Sequence, residues 1–119
     1  MTKAHEIQEL LDGWMKEYDV PGECIFGGYR QLSTGREVIL GICHYDSRYR
    51  CTIYLGDKFR NRRLGMCEKA VAFHEFAHAN AFLEDGKSDK HNAHWREYRK
   101  RKKDLWMWDI IAKFVYVFL

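Results

Sequence analysis

The apolar positions at the start of the chain recur with the spacing of one face of an α-helix. Between residues 3 and 18 they follow steps of three and four, which place them on a single side of the helix. Thr2 can cap the first turn, and Val20-Pro21-Gly22 ends the pattern. The sequence therefore predicts an amphipathic helix over 3–18 with this apolar face: Ile7, Leu10, Leu11, Trp14, Met15 and Tyr18.

Three stretches rich in β-branched and aromatic residues follow, at about 24–32, 36–45 and 50–55. Residues typical of turns bound them: Ser33-Thr34-Gly35, Asp46-Ser47 and Gly56-Asp57. Short connections favour antiparallel hairpins over parallel crossovers. The prediction is a small antiparallel three-stranded sheet.

A second helix is predicted over 66–83, where good helix formers occur without glycine or proline. Gly86 stands where a left-handed helix cap would lie. A further helix is expected to start near Asn92. The predicted apolar stripe of the second helix is Met66, Ala70, Phe73 and Ala77. These elements predict an α+β fold with further C-terminal helices.

The composition suits one domain that spans residues 1–119. The chain is 46% apolar and 15% aromatic, enough for one compact core. The four cysteines form no CxxC pair, and the first residues contain no apolar signal-peptide core. We therefore expect a cytoplasmic protein with reduced, mostly buried thiols, although an even number of cysteines leaves disulfides open.

Positive charge is concentrated in two places, although the formal net charge is only +3. Residues 87–103 are strongly basic, and a smaller basic group lies within 58–63. Such clusters can bind nucleic acid, here through the run 96–103, or can form a solvated helix face. The apolar segment 105–119 is shorter than the roughly 20 residues that span a bilayer. It is expected to pack on the domain, with membrane contact as the alternative because basic residues precede it.

The second predicted helix contains an H-E-x-x-H motif at His74, Glu75 and His78. Residues four apart lie on one face of a helix, so the two imidazoles can share one zinc ion. Glu75 need not bind the metal and can act as general base toward the water in the open coordination position. These residue types at this spacing are typical of zinc peptidases, and the alternative is a chance match on a helix.

A catalytic zinc ion needs a third protein ligand, for which the sequence offers two candidates. His91 follows the turn at Gly86, and Glu97 lies farther along the next predicted helix. A loop and one helical turn can return either side chain to the metal, so the spacing leaves both open. Glu84 has the spacing of a longer motif but lacks its preceding glycine. His94 is expected at the surface.

The motif and the residues after it resemble the SprT-like metallopeptidase domains, whose pattern is HExxH, a turn and a third histidine in H-G-x-x-F/W. The matching segments are His74-Glu75-Phe76-Ala77-His78, Asp85-Gly86 and His91-Asn92-Ala93-His94-Trp95. The resemblance implies a zincin-like fold, one Zn²⁺ ion on His74, His78 and His91, and Glu75 as the catalytic acid and base. Asn92 replaces the family's glycine, Phe76 replaces its usual methionine, and the C-terminal zinc ribbon is missing.

The expected function is a zinc-dependent peptidase in which a zinc-bound water attacks the peptide bond and Glu75 is the general base. The family implies protein or peptide substrates, among them DNA-associated proteins. By analogy with such folds, an extended substrate is expected to add to the edge of the strand at 50–55. The alternative is a non-catalytic, zinc-stabilised module that binds nucleic acid or protein.

Overall fold

The computed structural model describes residues 2–36 and 38–86, which form an α+β arrangement of two long helices and one sheet. The elements are helix α1 (Lys3–Glu17), strands β1 (Glu23–Arg30), β2 (Gly41–Ser47) and β3 (Arg50–Gly56), a short 3₁₀ helix (Asp57–Phe59) and helix α2 (Met66–Asp85). The helix predicted from Asn92 and the apolar segment 105–119 lie outside these residues. No helix in the described part of the chain is long and apolar enough to cross a membrane.

Helix α1 forms where the apolar spacing predicts it. The hydroxyl of Thr2 accepts a hydrogen bond from the His5 backbone N–H at 3.2 Å, which caps the first turn as expected. Ile7 and Leu11 are completely buried, and Trp14 packs against the core beside them. The helical spacing of the apolar positions therefore corresponds to one buried face, which packs on the core.

Helix α2 is buried on nearly every side. From Ala70 to Leu83 all residues are buried except His78 and Phe82, which are half-buried. Gly86 ends the helix with a φ of 72° and donates its N–H to the Phe82 carbonyl, as predicted. The predicted stripe is wrong at Met66, which is 66% exposed because continuous burial begins only at Ala70.

The sheet is mixed, with the strand order β1-β3-β2. Strands β2 and β3 form the expected antiparallel hairpin, but β1 pairs with β3 in parallel, so the prediction of an antiparallel sheet is wrong for β1. Residues 31–49 separate β1 from β3, and a parallel crossover needs only about a dozen residues. Strand β3 lies at the centre and has the most buried residues of the three strands.

Strand β2 begins later than the sequence predicts, at Gly41 rather than near residue 36. The Ser33 hydroxyl accepts a hydrogen bond from the Ile39 N–H at 3.0 Å and donates one to the Ile39 carbonyl at 3.3 Å. These two bonds tie Ser33 to Ile39 just before the strand begins. The side of β2 that faces α2 carries Gly41 and Tyr45, and the Tyr45 ring stacks on Phe82 at 4.3 Å.

A buried ion pair joins the start of α1 to the first turn of α2. Lys3 Nζ donates to Glu68 Oε1 at 2.9 Å, and the Tyr29 hydroxyl donates to Glu68 Oε2 at 2.8 Å. Lys3 also donates to the carbonyls of Phe59 and Arg62. Since Glu68 is only 2% exposed, these donors fix α2 relative to α1 and β1.

Candidate metal centre

Helix α2 brings His74, Glu75 and His78 together. One ligand atom from each residue lies within 4.8 Å of the others, so the group could hold a metal ion. The two imidazole centroids are 5.1 Å apart and their planes are nearly perpendicular, at 78°. This proximity follows from the helical spacing of four residues that the sequence shows.

The three side chains differ in their access to solvent. His74 is 8% exposed and Glu75 is 5% exposed, whereas His78 is half-buried. The group therefore lies just below the surface, and His78 is the member nearest to solvent. A site of this kind has a lower effective dielectric than water, which strengthens any charge interaction within it.

Glu75 carries a carboxylate oxygen that is buried without a partner. Within residues 2–36 and 38–86, Oε2 accepts no hydrogen bond. Burial raises the pKa of Glu75 from its ordinary value of 4.5 to about 7, although the nearby His74 lowers it. A buried and unpaired carboxylate is costly, and a bound cation would remove that cost by favouring the charged form. The environment of Glu75 therefore fits a divalent metal ion.

Asn80 is the other described residue with unpartnered buried side-chain atoms, its amide Nδ2 and Oδ1. It is completely buried in α2, but it carries no charge and does not belong to the metal-ligating group. Its lack of partners has no explanation in the described contacts.

The four cysteines are free, and within the described residues they belong to no group of metal ligands. Cys24 and Cys51 are buried, Cys43 is half-buried and Cys67 is exposed. A hydrogen bond to Cys51, burial and the charge of Glu75 raise the pKa of the Cys43 thiol well above its usual range. Among residues 2–36 and 38–86, the histidine and glutamate group of α2 is the one set of three donors close enough for a metal ion.

Two residues that the sequence did not indicate contribute to the position of the group. Gly41 of β2 lies directly against the Glu75 side chain, and Arg48, in the turn between β2 and β3, donates to the Phe82 and Leu83 carbonyls at 3.1 Å each. Both contacts join residues far apart in the chain, so no local sequence signal could reveal them.

Several predicted site residues lie outside the described part of the chain. These are His91, Glu97, His94 and the basic run 96–103. The third ligand and nucleic-acid contact therefore stay predictions. Glu84, which the spacing argument set aside, is half-buried in α2 and does not belong to the group.

The strand edge predicted to receive a substrate is wrong. Strand β3 is paired on both sides, by β1 and by β2, so it offers no free edge. The sheet edge next to the histidine and glutamate group belongs to β2, since Gly41 of that strand contacts Glu75.

Comparison with known proteins gives no relative for this chain: no family model, no curated protein and no solved structure matches it.

Proposed function

We propose that the protein is a zinc-dependent peptidase of the SprT-like kind, with one Zn²⁺ ion held by His74, His78 and His91. The observation that carries the proposal is the buried carboxylate of Glu75 beside two imidazoles on one helix face, with no hydrogen bond to its Oε2 from residues 2–36 and 38–86. A purely structural zinc site closes with a fourth protein ligand and needs no such carboxylate. The likeness of the motif to the SprT-like pattern supports the same conclusion.

The roles of the residues follow from their types and surroundings. His74 and His78 would bind the metal through their imidazole nitrogens, which suit zinc. A zinc ion supplies Lewis-acid polarisation of the peptide carbonyl and lowers the pKa of a coordinated water to about 7. Glu75 would take a proton from the attacking water and deliver it to the leaving amine, because its carboxylate lies beside His74 and His78 and a positioned carboxylate can act as both base and acid.

An extended peptide is the proposed substrate, and the surface that would hold it is the edge of β2 that pairs with no strand among residues 2–36 and 38–86. An unpaired strand edge presents main-chain donors and acceptors to which a peptide can add as another strand. Strand β2 also contacts Glu75 through Gly41, so a peptide on this edge would lie near the base. The basic run 96–103 would direct the enzyme to DNA-associated proteins.

The decisive test replaces Glu75 by Gln and measures zinc content and hydrolysis of labelled casein together. Glu75→Gln should retain one zinc ion and lose peptidase activity by a factor of about 10²–10⁴, the usual contribution of a general acid or base. Full activity in Glu75→Gln would overturn the mechanism. Zinc binding without activity in the wild type would favour the non-catalytic module.

A second pair of variants identifies the third ligand. His91→Ala should lose zinc under a chelator concentration at which Glu97→Ala retains it, because the proposed ligand set contains His91. Loss of zinc in Glu97→Ala alone would assign the ligand set to His74, His78 and Glu97.

A further inference from the structure

The Glu75 side chain is packed against a glycine of the neighbouring strand. An ideal Cβ placed on Gly41 would lie 3.1 Å from Glu75 Cγ, 3.0 Å from Val71 Cγ1 and 3.3 Å from Leu55 Cδ2. Carbon atoms make their best contacts at about 3.5–4.0 Å, so all three distances are too short for an unperturbed side chain. Because Gly41 has no side chain, the Glu75 side chain can occupy the space next to it.

The backbone does not require glycine at this position. Gly41 is absent from the glycines with positive φ, which are Gly22, Gly28 and Gly86. Alanine could adopt the local strand conformation without strain. What excludes a methyl group at Gly41 is therefore the contact with α2 and β3.

Of the three neighbours, Glu75 has the most freedom to move. Val71 and Leu55 are completely buried, and Val71 is also restricted by its branched Cβ. Glu75 has an unbranched side chain, and its Oε2 has no hydrogen bond within the described residues to hold it. An added methyl group would therefore displace the Glu75 side chain first.

We propose that Gly41 is a positioning residue for Glu75: its missing side chain lets the glutamate lie against β2 with its carboxylate beside His74 and His78. The inference rests on the proposed function as far as catalysis is concerned. The packing contact itself stands on the described geometry alone. Because a displacement of about 1 Å can cost 10²-fold in rate, the residue at this position controls the efficiency of the base.

The test compares Gly41→Ala with Gly56→Ala as a matched control. Gly56 is also a strand glycine without positive φ, and the nearest atoms to a Cβ there would be the Ile39 and Leu40 carbonyl oxygens at 3.4 Å, an ordinary contact. With labelled casein and saturating zinc, Gly41→Ala should lower kcat by about 10- to 100-fold with KM changed less than about threefold. Its zinc affinity, measured by chelator competition, should stay within about threefold, whereas Gly56→Ala should leave kcat within about twofold.

A second measurement needs no activity. The loss of Tm caused by Gly41→Ala is measured in the wild type and in a Glu75→Ala background, without metal. If the added methyl group meets Glu75, the loss should be at most about half as large once Glu75 is truncated, since contacting residues are not additive. Should Gly41→Ala fail to fold by itself, folding of the double variant would support the contact equally.

The kinetic and Tm measurements together distinguish a wrong positioning role for Gly41 from a wrong peptidase proposal. Equal Tm losses in both backgrounds, or no folding in either, would overturn the positioning role because the methyl group would then act on Val71 and Leu55. Unchanged kcat in Gly41→Ala would also overturn it. If the wild type binds zinc but does not cleave casein, the peptidase proposal fails, and the Tm comparison still decides whether Gly41 positions Glu75.

Discussion

Helix α2 contains two buried glutamates whose surroundings are opposite. Glu68, in the first turn, is 2% exposed and has a partner on each carboxylate oxygen, Lys3 on one and the Tyr29 hydroxyl on the other. Glu75, two turns later, is 5% exposed, and its Oε2 has no partner within the described residues. The two side chains are buried to nearly the same extent, so they differ in the hydrogen bonds that the described residues make to their carboxylates.

The comparison separates a structural carboxylate from a candidate catalytic one. A buried charge that is paired and hydrogen-bonded joins elements of the fold, as Glu68 joins α1, β1 and α2. A buried charge without partners costs stability and is retained where function needs it, which is typical of active sites. The two glutamates should therefore respond in opposite ways to the same substitution.

The largest expected effect on stability comes from Glu68→Gln. A glutamine keeps one acceptor for Lys3 and can donate its NH₂ group to the Tyr29 hydroxyl, but it lacks the negative charge that pairs with the Lys3 ammonium group. We expect a loss of about 2–3 kcal/mol in the free energy of unfolding, measured by urea denaturation at pH 7.

Glu75→Gln is the matched variant on the same helix. In the metal-free protein it should lower the free energy of unfolding by less than about 1 kcal/mol, or raise it, because it removes a buried charge whose Oε2 has no hydrogen bond within the described residues. Equal destabilisation by Glu68→Gln and Glu75→Gln would show that the partners do not distinguish the two sites.

The pH dependence of stability provides a second comparison. The pKa of Glu75 is raised from 4.5 to about 7, so the folded state binds the proton more tightly than the unfolded state between these values. Stability of the metal-free protein should therefore fall as pH rises from about 4.5 to 7, by up to about 3 kcal/mol, and then level off. Glu75→Gln should lack this contribution.

The measurement is the difference between wild type and Glu75→Gln in urea denaturation across pH 4 to 8. The difference removes other titrating groups, among them Asp46, whose pKa is lowered by its hydrogen bonds from Thr52 and His44. Saturating zinc should flatten the wild-type slope, since a cation favours the charged carboxylate. If the free energy of unfolding varied equally with pH in the wild type and Glu75→Gln, the pH dependence would not come from Glu75.

The sequence predicted those features that depend on neighbours along the chain. The helical spacing of apolar residues predicted α1, and Gly86 predicted the end of α2. The spacing of four residues between His74 and His78 predicted that both lie on one helix face. Each of these rests on residues within a few positions of one another, where backbone geometry dictates the outcome.

Contacts between distant segments were not predictable in the same way. The antiparallel prediction assumed that strands adjacent in sequence pair with each other, whereas β3 lies between β1 and β2. The contact of Gly41 with Glu75 depends on how closely α2 approaches β2, which packing of the whole core determines. The partners of Glu68 likewise come from α1 and β1, so its stabilising role could not be inferred from α2 alone.

The smallest expected effect concerns the end of α2, where Arg48 donates to the Phe82 and Leu83 carbonyls at 3.1 Å each. The last carbonyls of a helix lack partners within the helix, and a cation near them also interacts favourably with the helix dipole. Arg48→Ala should therefore lower the free energy of unfolding by about 1 kcal/mol, since the side chain is largely exposed, and should lower Tm by about 4 °C. Arg50→Ala is the control, because that exposed arginine makes a long 3.9 Å contact with the exposed Glu23 and should change stability by less than about 0.5 kcal/mol. If the two arginine variants lowered Tm equally, the carbonyl contacts of Arg48 would contribute nothing beyond its surface charge. The end of α2 would then be held by the Gly86 cap and core packing alone.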